Sequence, residues 1–392
     1  MERPSILVIV LVLLLGVLFL REPRFQRSEE IFLRWLIRHS EPAVKPVPMT
    51  IVDIGRENPP APLEAALLLQ GTLEFKPTVI AMEPVLQWGE RAKDQEQLFI
   101  DQAMRVPKLV LGAELTATPD PDEPVAEIGG FPNVTGRRGD LPAFSGIEHQ
   151  PDEDVRILST LGFTNLSEDE ANDLRVPLLF QYRGEVVPSF ALQAALLWMR
   201  LTPSEVKIDI GSAIILPNGT KIPIASDGTL LVNPRLAQRA RHVTLNELLL
   251  AAEQHQGGAA TGIRIEDIRT QLVVARAESN SPDLFAAAVA AIQSQTFIRR
   301  VSWIFDCLIV VVVALLSGAI RKFSRIDLTI GAVAASAAYI LIALGIISRF
   351  AIWIPAWLPL GALWIAVLLA IFLPKPKDST RTIAIAAPPP TP

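Results

Sequence analysis

The chain has 392 residues, 50% of them hydrophobic, and its 36 Lys and Arg against 41 Asp and Glu give a net charge of −5. That balance carries no basic footprint for nucleic acid. The single cysteine, Cys307, excludes an intrachain disulfide and a zinc site built on several thiolates.

The mean hydropathy of +0.35 is too apolar for an ordinary soluble protein. The excess sits at the two ends, so membrane segments account for it better than an oversized core. Residues 5–20, SILVIVLVLLLGVLFL, form the first such run. They fall short of a ~30 Å hydrocarbon core at ~1.5 Å per residue, and Arg21 and Arg24 extend their reach by snorkelling. No small-x-small cleavage pattern follows, so the run reads as an uncleaved anchor rather than a signal peptide.

Residues 21–300 have globular polarity, enough for one large domain or two small ones. "REPRFQRSEEIFLRWLIRHS" predicts an amphipathic helix with Ile31, Trp35 and Leu36 on or near one face, closed by Pro42, Pro46 and Pro48. Strands are predicted at 49–55, 78–84 and 108–114, alternating with helices over "PLEAALLLQGTLEF" and "RAKDQEQLFIDQAM". That alternation implies parallel pairing through crossover helices. Residues 116–154, rich in Pro, Asp, Glu and Gly, form a polar excursion whose elements the pattern does not place.

Beyond it come a strand, an Arg-Gly turn and a helix after Ser189, then a hairpin turning at Asn218-Gly219. Thr244 with Glu247 makes a capping box for "LNELLLAAEQH", and 270–277 is the last strand of the domain. Ser281 can cap the next helix with Pro282 in its first turn. No Gly or Pro interrupts 283–317. Either one helix runs from the domain into the bilayer, or it ends near Gln295 and a separate span follows.

Three further apolar runs, 303–320, 328–347 and 351–373, close the membrane region, followed by a Pro-rich tail at 374–392 that lacks the composition of a packed core. The loop RKFSR at 321–325 and Lys375 and Lys377 in the tail are basic. Positive residues stay cytoplasmic. The expected fold is therefore an α/β extracytoplasmic domain with a parallel-sheet core plus four transmembrane helices, in the inner membrane with both termini inside.

The order of several motifs resembles the type-two CHASE domain, the extracellular sensory module of bacterial cyclases and kinases. "TIVDIG" (50–55) and "VIAMEP" (79–84) are similar to its first two strands, with Glu83 where Asp is usual. "GFTN" (162–165), "LRVPLL" (174–179), "PSFALQAA" (188–195), "IPIASDGTLLVN" (222–233), "VTLNELL" (243–249) and "DLFAAAVAAI" (283–292) follow in the family's order. The turn "SEDEAND" before Arg175 and the helix entry "SPDLF" depart from it. The resemblance implies one anchor before the domain, three helices after it, and a sensory role.

Asp53 and Glu83 fall at the C-terminal ends of strands expected to be adjacent. Ligands of open α/β sheets bind along that edge. The pair is either a site for a cation or polar ligand, or two carboxylates that cap helices or face solvent. Arg175 either grips an anion bidentately or ties a turn to a nearby carboxylate; Asn165 joins the candidates through the "GFTN" motif. No nucleophile elbow, phosphate loop or metal-binding motif is present. Neither a catalytic set nor a cofactor or metal is expected.

The sequence thus predicts a non-enzymatic membrane sensor or interaction protein. Its expected partners are the lipid bilayer, a small ligand or envelope protein, and a separate signalling output protein, with a homodimer possible and no nucleic acid. A non-switching envelope scaffold and a small transporter are the alternatives.

Overall fold

The computed structural model describes residues 23–42, 46–89, 93–118, 128–166, 174–259, 262–269, 271–278, 283–302, 304–305, 307–309, 311–312 and 324–372. The expected spans at 5–20 and most of 303–320, the caps Ser281 and Pro282, the turn at 167–173 and the tail at 374–392 lie outside these residues. The chain divides into two compact units. One is Glu41–Arg299, and the other comprises the described residues before and after it.

Glu41–Arg299 is a three-layer α/β unit. Its labelled elements begin with β1 (Met49–Asp53), α1 (Pro62–Leu73), β2 (Val79–Met82), α2 (Lys93–Ala103), β3 (Leu109–Thr116) and β4 (Thr160–Phe163). They continue with α3 (Phe190–Trp198), β5 (Arg241–Thr244), α4 (Leu245–Gln256), β6 (Leu272–Arg276) and α5 (Leu284–Ser294). The strands lie in the order β5-β1-β6-β2-β3-β4 and every pair is parallel. A short antiparallel strand, Gly146–His149, pairs with the far end of β3.

Alternation along each strand sends successive side chains to opposite faces. Met49, Ile51, Val79, Ala81, Leu272 and Val274 are buried together with α3 and α5. Val52, Ile80, Met82, Val273 and Ala275 are buried with α1, α2 and α4. Both faces are covered, which is why these strands are apolar throughout.

The predicted strands and helices fall within a few residues of the observed ones. Thr244 accepts from Glu247 N at 3.3 Å while Glu247 accepts from Thr244 N at 2.8 Å, completing the expected capping box. Arg183 and Gly184, both with positive φ (49° and 88°), make the two-residue turn between strands Leu179–Tyr182 and Glu185–Pro188. Small strands of the polar excursion, such as Val134–Thr135 and Ala143–Phe144, pair with later hairpins rather than with each other.

One expectation changes at α5 and one open alternative is decided there. Asp283, not Ser281, is the observed N-cap, accepting from Ala286 N at 2.8 Å. The helix then ends at Ser294, because Gln295 adopts a left-handed conformation (φ 55°). A continuous helix over 283–317 is therefore ruled out, and the helix ends near Gln295 as the other alternative has it.

Close strand packing depends on two glycines. A Cβ on Gly112 of β3 would lie 2.0 Å from the Glu83 carbonyl oxygen, and one on Gly162 of β4 2.7 Å from Phe190 Cα. The second approach seats α3 directly over β4.

The other unit contains helices Pro23–His39, Arg325–Phe350 and Trp357–Phe372. Pro23–His39, assigned to the outer domain by the sequence, belongs here instead. It buries Leu33, Leu36, Ile37 and Glu29, and leaves Ile31 (63%) and Trp35 (41%) exposed. The expected apolar face is therefore rotated: the buried positions follow the i, i+4, i+7, i+8 spacing set by Glu29.

Among the described residues, one helix is long and apolar enough to cross a bilayer: Arg325–Phe350, of 26 residues. It extends about 39 Å at 1.5 Å per residue, and Ile326, Ile330 and Leu341 on it are exposed. Trp357–Phe372 has only 16 residues, about 24 Å against a core of about 30 Å. Four membrane helices are thus not supported, and one candidate stands. Where the two helices meet, Trp364 Nε1 donates to Ser336 Oγ at 3.2 Å and Tyr339 Oη to the Pro355 carbonyl at 2.6 Å.

Glu29 accepts from Ala356 N at 3.0 Å and Trp357 N at 2.8 Å, so a distant carboxylate caps the final helix. An anion there satisfies orphan N–H groups and opposes the positive helix end. Glu29→Ala is expected to cost about 1–2 kcal/mol, seen as a lower melting temperature of the full chain in detergent. An unchanged melt would mean that water replaces the carboxylate without loss.

Candidate functional site

The C-terminal edge of the parallel sheet gathers charge. The register pairs Asp53 with Arg276 across β1 and β6. Glu83, one residue past β2, donates its backbone N–H to the Ala275 carbonyl at 2.9 Å. By strand alternation Asp53, Arg276 and Glu83 continue the face that packs on α5, and Asp283 caps that helix from the same side.

The expectation that Asp53 and Glu83 sit on adjacent strands is corrected here. Strand β6 lies between β1 and β2 and carries Arg276 into the gap. The Arg276 Nε donates to Asp53 Oδ1 at 2.7 Å, and its Nη1 lies 3.3 Å from Asp283 Oδ2. The Arg276 side chain is 16% exposed and that of Asp283 4%. Asp283 Oδ2 makes no hydrogen bond, so the cation beside it is its main compensation.

Three carboxyl groups therefore face one guanidinium. Burial, and after it the Asp283 charge, push the Glu83 carboxyl up to about 8 against the opposing pull of Arg276. Burial raises Asp283 as well, against the Ala286 N–H bond and the nearby Arg276 and His242. For Arg276 burial works to lower the pKa, but Asp283, Asp53 and Glu83 outweigh it and hold the guanidinium above its ordinary value. Fully ionised, the cluster would bury unbalanced negative charge; a proton held by Glu83 removes part of that cost.

The other two candidates lie elsewhere. Asn165, just past β4, is two strands from Glu83 along the same edge. Its amide donates to the Leu115 carbonyl at 2.8 Å and accepts from Leu115 N at 2.7 Å, so it ties the β4 exit to β3. Arg175 sits opposite Leu231 in a two-stranded ribbon off the parallel sheet. The structure does not bring it to the carboxylates.

Sequence reasoning missed Arg276 and Asp283. The available signal was an arginine closing the apolar run "LVVA" at the same strand end as the two acids. Among the described residues no group of three or more His, Cys, Asp or Glu is placed to hold a metal ion. The arrangement is suited to holding a proton or a small polar group at a buried charge balance, and it contains no nucleophile poised beside a base. No family model matches this chain, and neither a curated protein nor a solved structure matches it.

Proposed function

We propose that the chain is a membrane-anchored, non-enzymatic sensor of the type-two CHASE kind. The α/β unit stands outside the inner membrane and binds a small ligand or envelope protein. Segments 5–20, 303–320, 328–347 and 351–373 associate with or cross the bilayer, with both termini cytoplasmic. The signal passes to a separate output protein.

One observation supports this layout above the rest. Glu29 holds the backbone of Ala356 and Trp357, and Trp357 Nε1 donates to the Ser28 carbonyl at 2.8 Å. Val301 N donates to the Trp353 carbonyl at 3.0 Å, and the Arg300 guanidinium lies 5.5 Å from the centre of the Trp353 ring. A four-span chain must place the exit of its first span, the entry of its second and the loop between its third and fourth on one side of the bilayer. These are the three segments that meet. The tryptophans and arginines among them suit a membrane–water interface.

Protease added to intact spheroplasts is expected to digest the α/β unit and spare the tail at 374–392. Survival of the α/β unit, released only on lysis, would overturn the sensor reading.

A further inference from the structure

We infer that the outer face of helix Pro23–His39 is a docking surface for the bilayer itself, and that it takes anionic phospholipid headgroups. The inference rests on the membrane part of the proposed function, in which residues 5–20 cross the bilayer. Only residues 21 and 22 separate that apolar run from Pro23, a reach of at most about 11 Å at 3.8 Å per Cα step. The headgroup layer is roughly 5–8 Å deep on each side of a core of about 30 Å, so the helix starts in it or against it.

Six residues on, Glu29 accepts from the backbone of Ala356 and Trp357, at the start of the apolar helix Trp357–Phe372. That start is a second point on the membrane boundary, about 9 Å along the helix from the first. Two boundary points on one axis lay the helix along the surface rather than upright. Its inner side packs against Arg325–Phe350, the helix long and apolar enough to span.

Ile31, Arg34, Trp35 and Arg38 follow the i, i+3, i+4, i+7 spacing of one helix face, opposite the buried Leu33, Leu36 and Ile37. Phe32 stacks on Trp35 with ring centroids 6.1 Å apart, and the His39 ring tilts over Trp35 at 4.6 Å. His39 Nδ1 lies 2.8 Å from the Trp35 carbonyl, which fixes that ring. The exposed Trp357 adjoins them through its Nε1 bond to the Ser28 carbonyl. Ordered aromatic rings left exposed at the membrane boundary suit the headgroup level. Arg34 and Arg38 bring positive charge to the same face. Of the two acids on the helix, Glu29 points inward and Glu30 lies to the side of the stripe. A helix of this kind seats its apolar residues about 5–10 Å into the headgroup boundary and binds more strongly to anionic lipid.

Spin labels test this in the full chain carrying Cys307→Ser, reconstituted in vesicles of phosphatidylcholine alone or mixed equally with phosphatidylglycerol. One label goes on Ile31→Cys. Leu341→Cys, at an exposed position of Arg325–Phe350, is the lipid reference, and Glu253→Cys, at an exposed position of α4, the aqueous one. Collision with oxygen, which concentrates in lipid, is compared with collision with a water-soluble nickel chelate. The oxygen-to-nickel ratio at Ile31→Cys is expected at least fivefold above that at Glu253→Cys, and higher in the mixed vesicles. Arg34→Gln with Arg38→Gln should abolish the gain from phosphatidylglycerol and leave Leu341→Cys unchanged. A label at Ile31→Cys as open to nickel as the one at Glu253→Cys overturns the docking. Shielding from both reagents also overturns it, because a second copy or another segment of the chain then covers the face. A ratio indifferent to phosphatidylglycerol overturns the choice of anionic headgroups. If Leu341→Cys is itself open to nickel, the membrane reading fails and this inference with it. A lipid-exposed Leu341→Cys beside a water-exposed Ile31→Cys fails this inference alone.

Discussion

Arg276→Ala is expected to destabilise the α/β unit by about 3–5 kcal/mol, the cost of stripping the partner from a buried charge. The truncation leaves Asp283, 4% exposed, without its cation, and Asp53 without its 2.7 Å bond. Urea denaturation followed by tryptophan fluorescence should show a lower midpoint at an unchanged slope. Arg276→Lys should fall between the two, because an ammonium keeps the charge but not the fork that reaches both acids. Combining Arg276→Leu with Asp53→Asn and Asp283→Asn should recover most of the loss, since the charges leave together. A loss below about 1 kcal/mol for Arg276→Ala would place the cluster in the regime of exposed ion pairs and remove it as a buried site.

Stability is also expected to decline with rising pH across the neutral range, opposite to the usual carboxylate behaviour. The Glu83 carboxyl in the folded chain titrates near 8 against an ordinary value of 4.5. The folded state thus keeps a proton that the unfolded chain releases. Its stabilising contribution is complete below about pH 4.5, declines as pH rises to about 8, and is flat above that. The slope that Glu83 alone can supply is at most about 1.4 kcal/mol per pH unit. Asp283, raised by burial, contributes in the same sense. Asp267 is lowered by its Arg264 backbone bond and by Arg241 despite burial, and its opposing contribution is lost only at acid pH, below this window. Glu83→Gln mimics the protonated form and should flatten the profile between pH 5 and 8, ending more stable than wild type at pH 8.5. Parallel wild-type and Glu83→Gln profiles would mean that Glu83 is ionised throughout.

Local chemistry in this chain was legible and long-range pairing was not. The capping box at Thr244 and Glu247, the Arg183-Gly184 turn and the apolar runs of β1, β2, β3 and β6 each depend on residues a few positions apart. The placement of β6 between β1 and β2 pairs Asp53 with Arg276, 223 positions away, and no periodicity encodes that. The same gap hid the site: two acids looked like neighbours because the cation that separates them belongs to the other end of the domain. The break near Gln295 stayed one of two alternatives for a different reason. Glycine and proline are the usual punctuation of a helix, and here an ordinary residue adopts the left-handed turn. The two small strands at 134–135 and 143–144 gain their order from partners past residue 175, so their own composition carries no signal.

The seat of β6 also governs how this protein is made. Chains fold as they emerge, beginning from the amino end, yet the strand that fills the middle of the sheet is the last of the six to be synthesised. Until residue 276 has left the ribosome, β1 and β2 flank an empty slot with unpaired edges on both sides. The sheet can therefore close only once nearly the whole unit has been made, and those edges are where a chaperone would act.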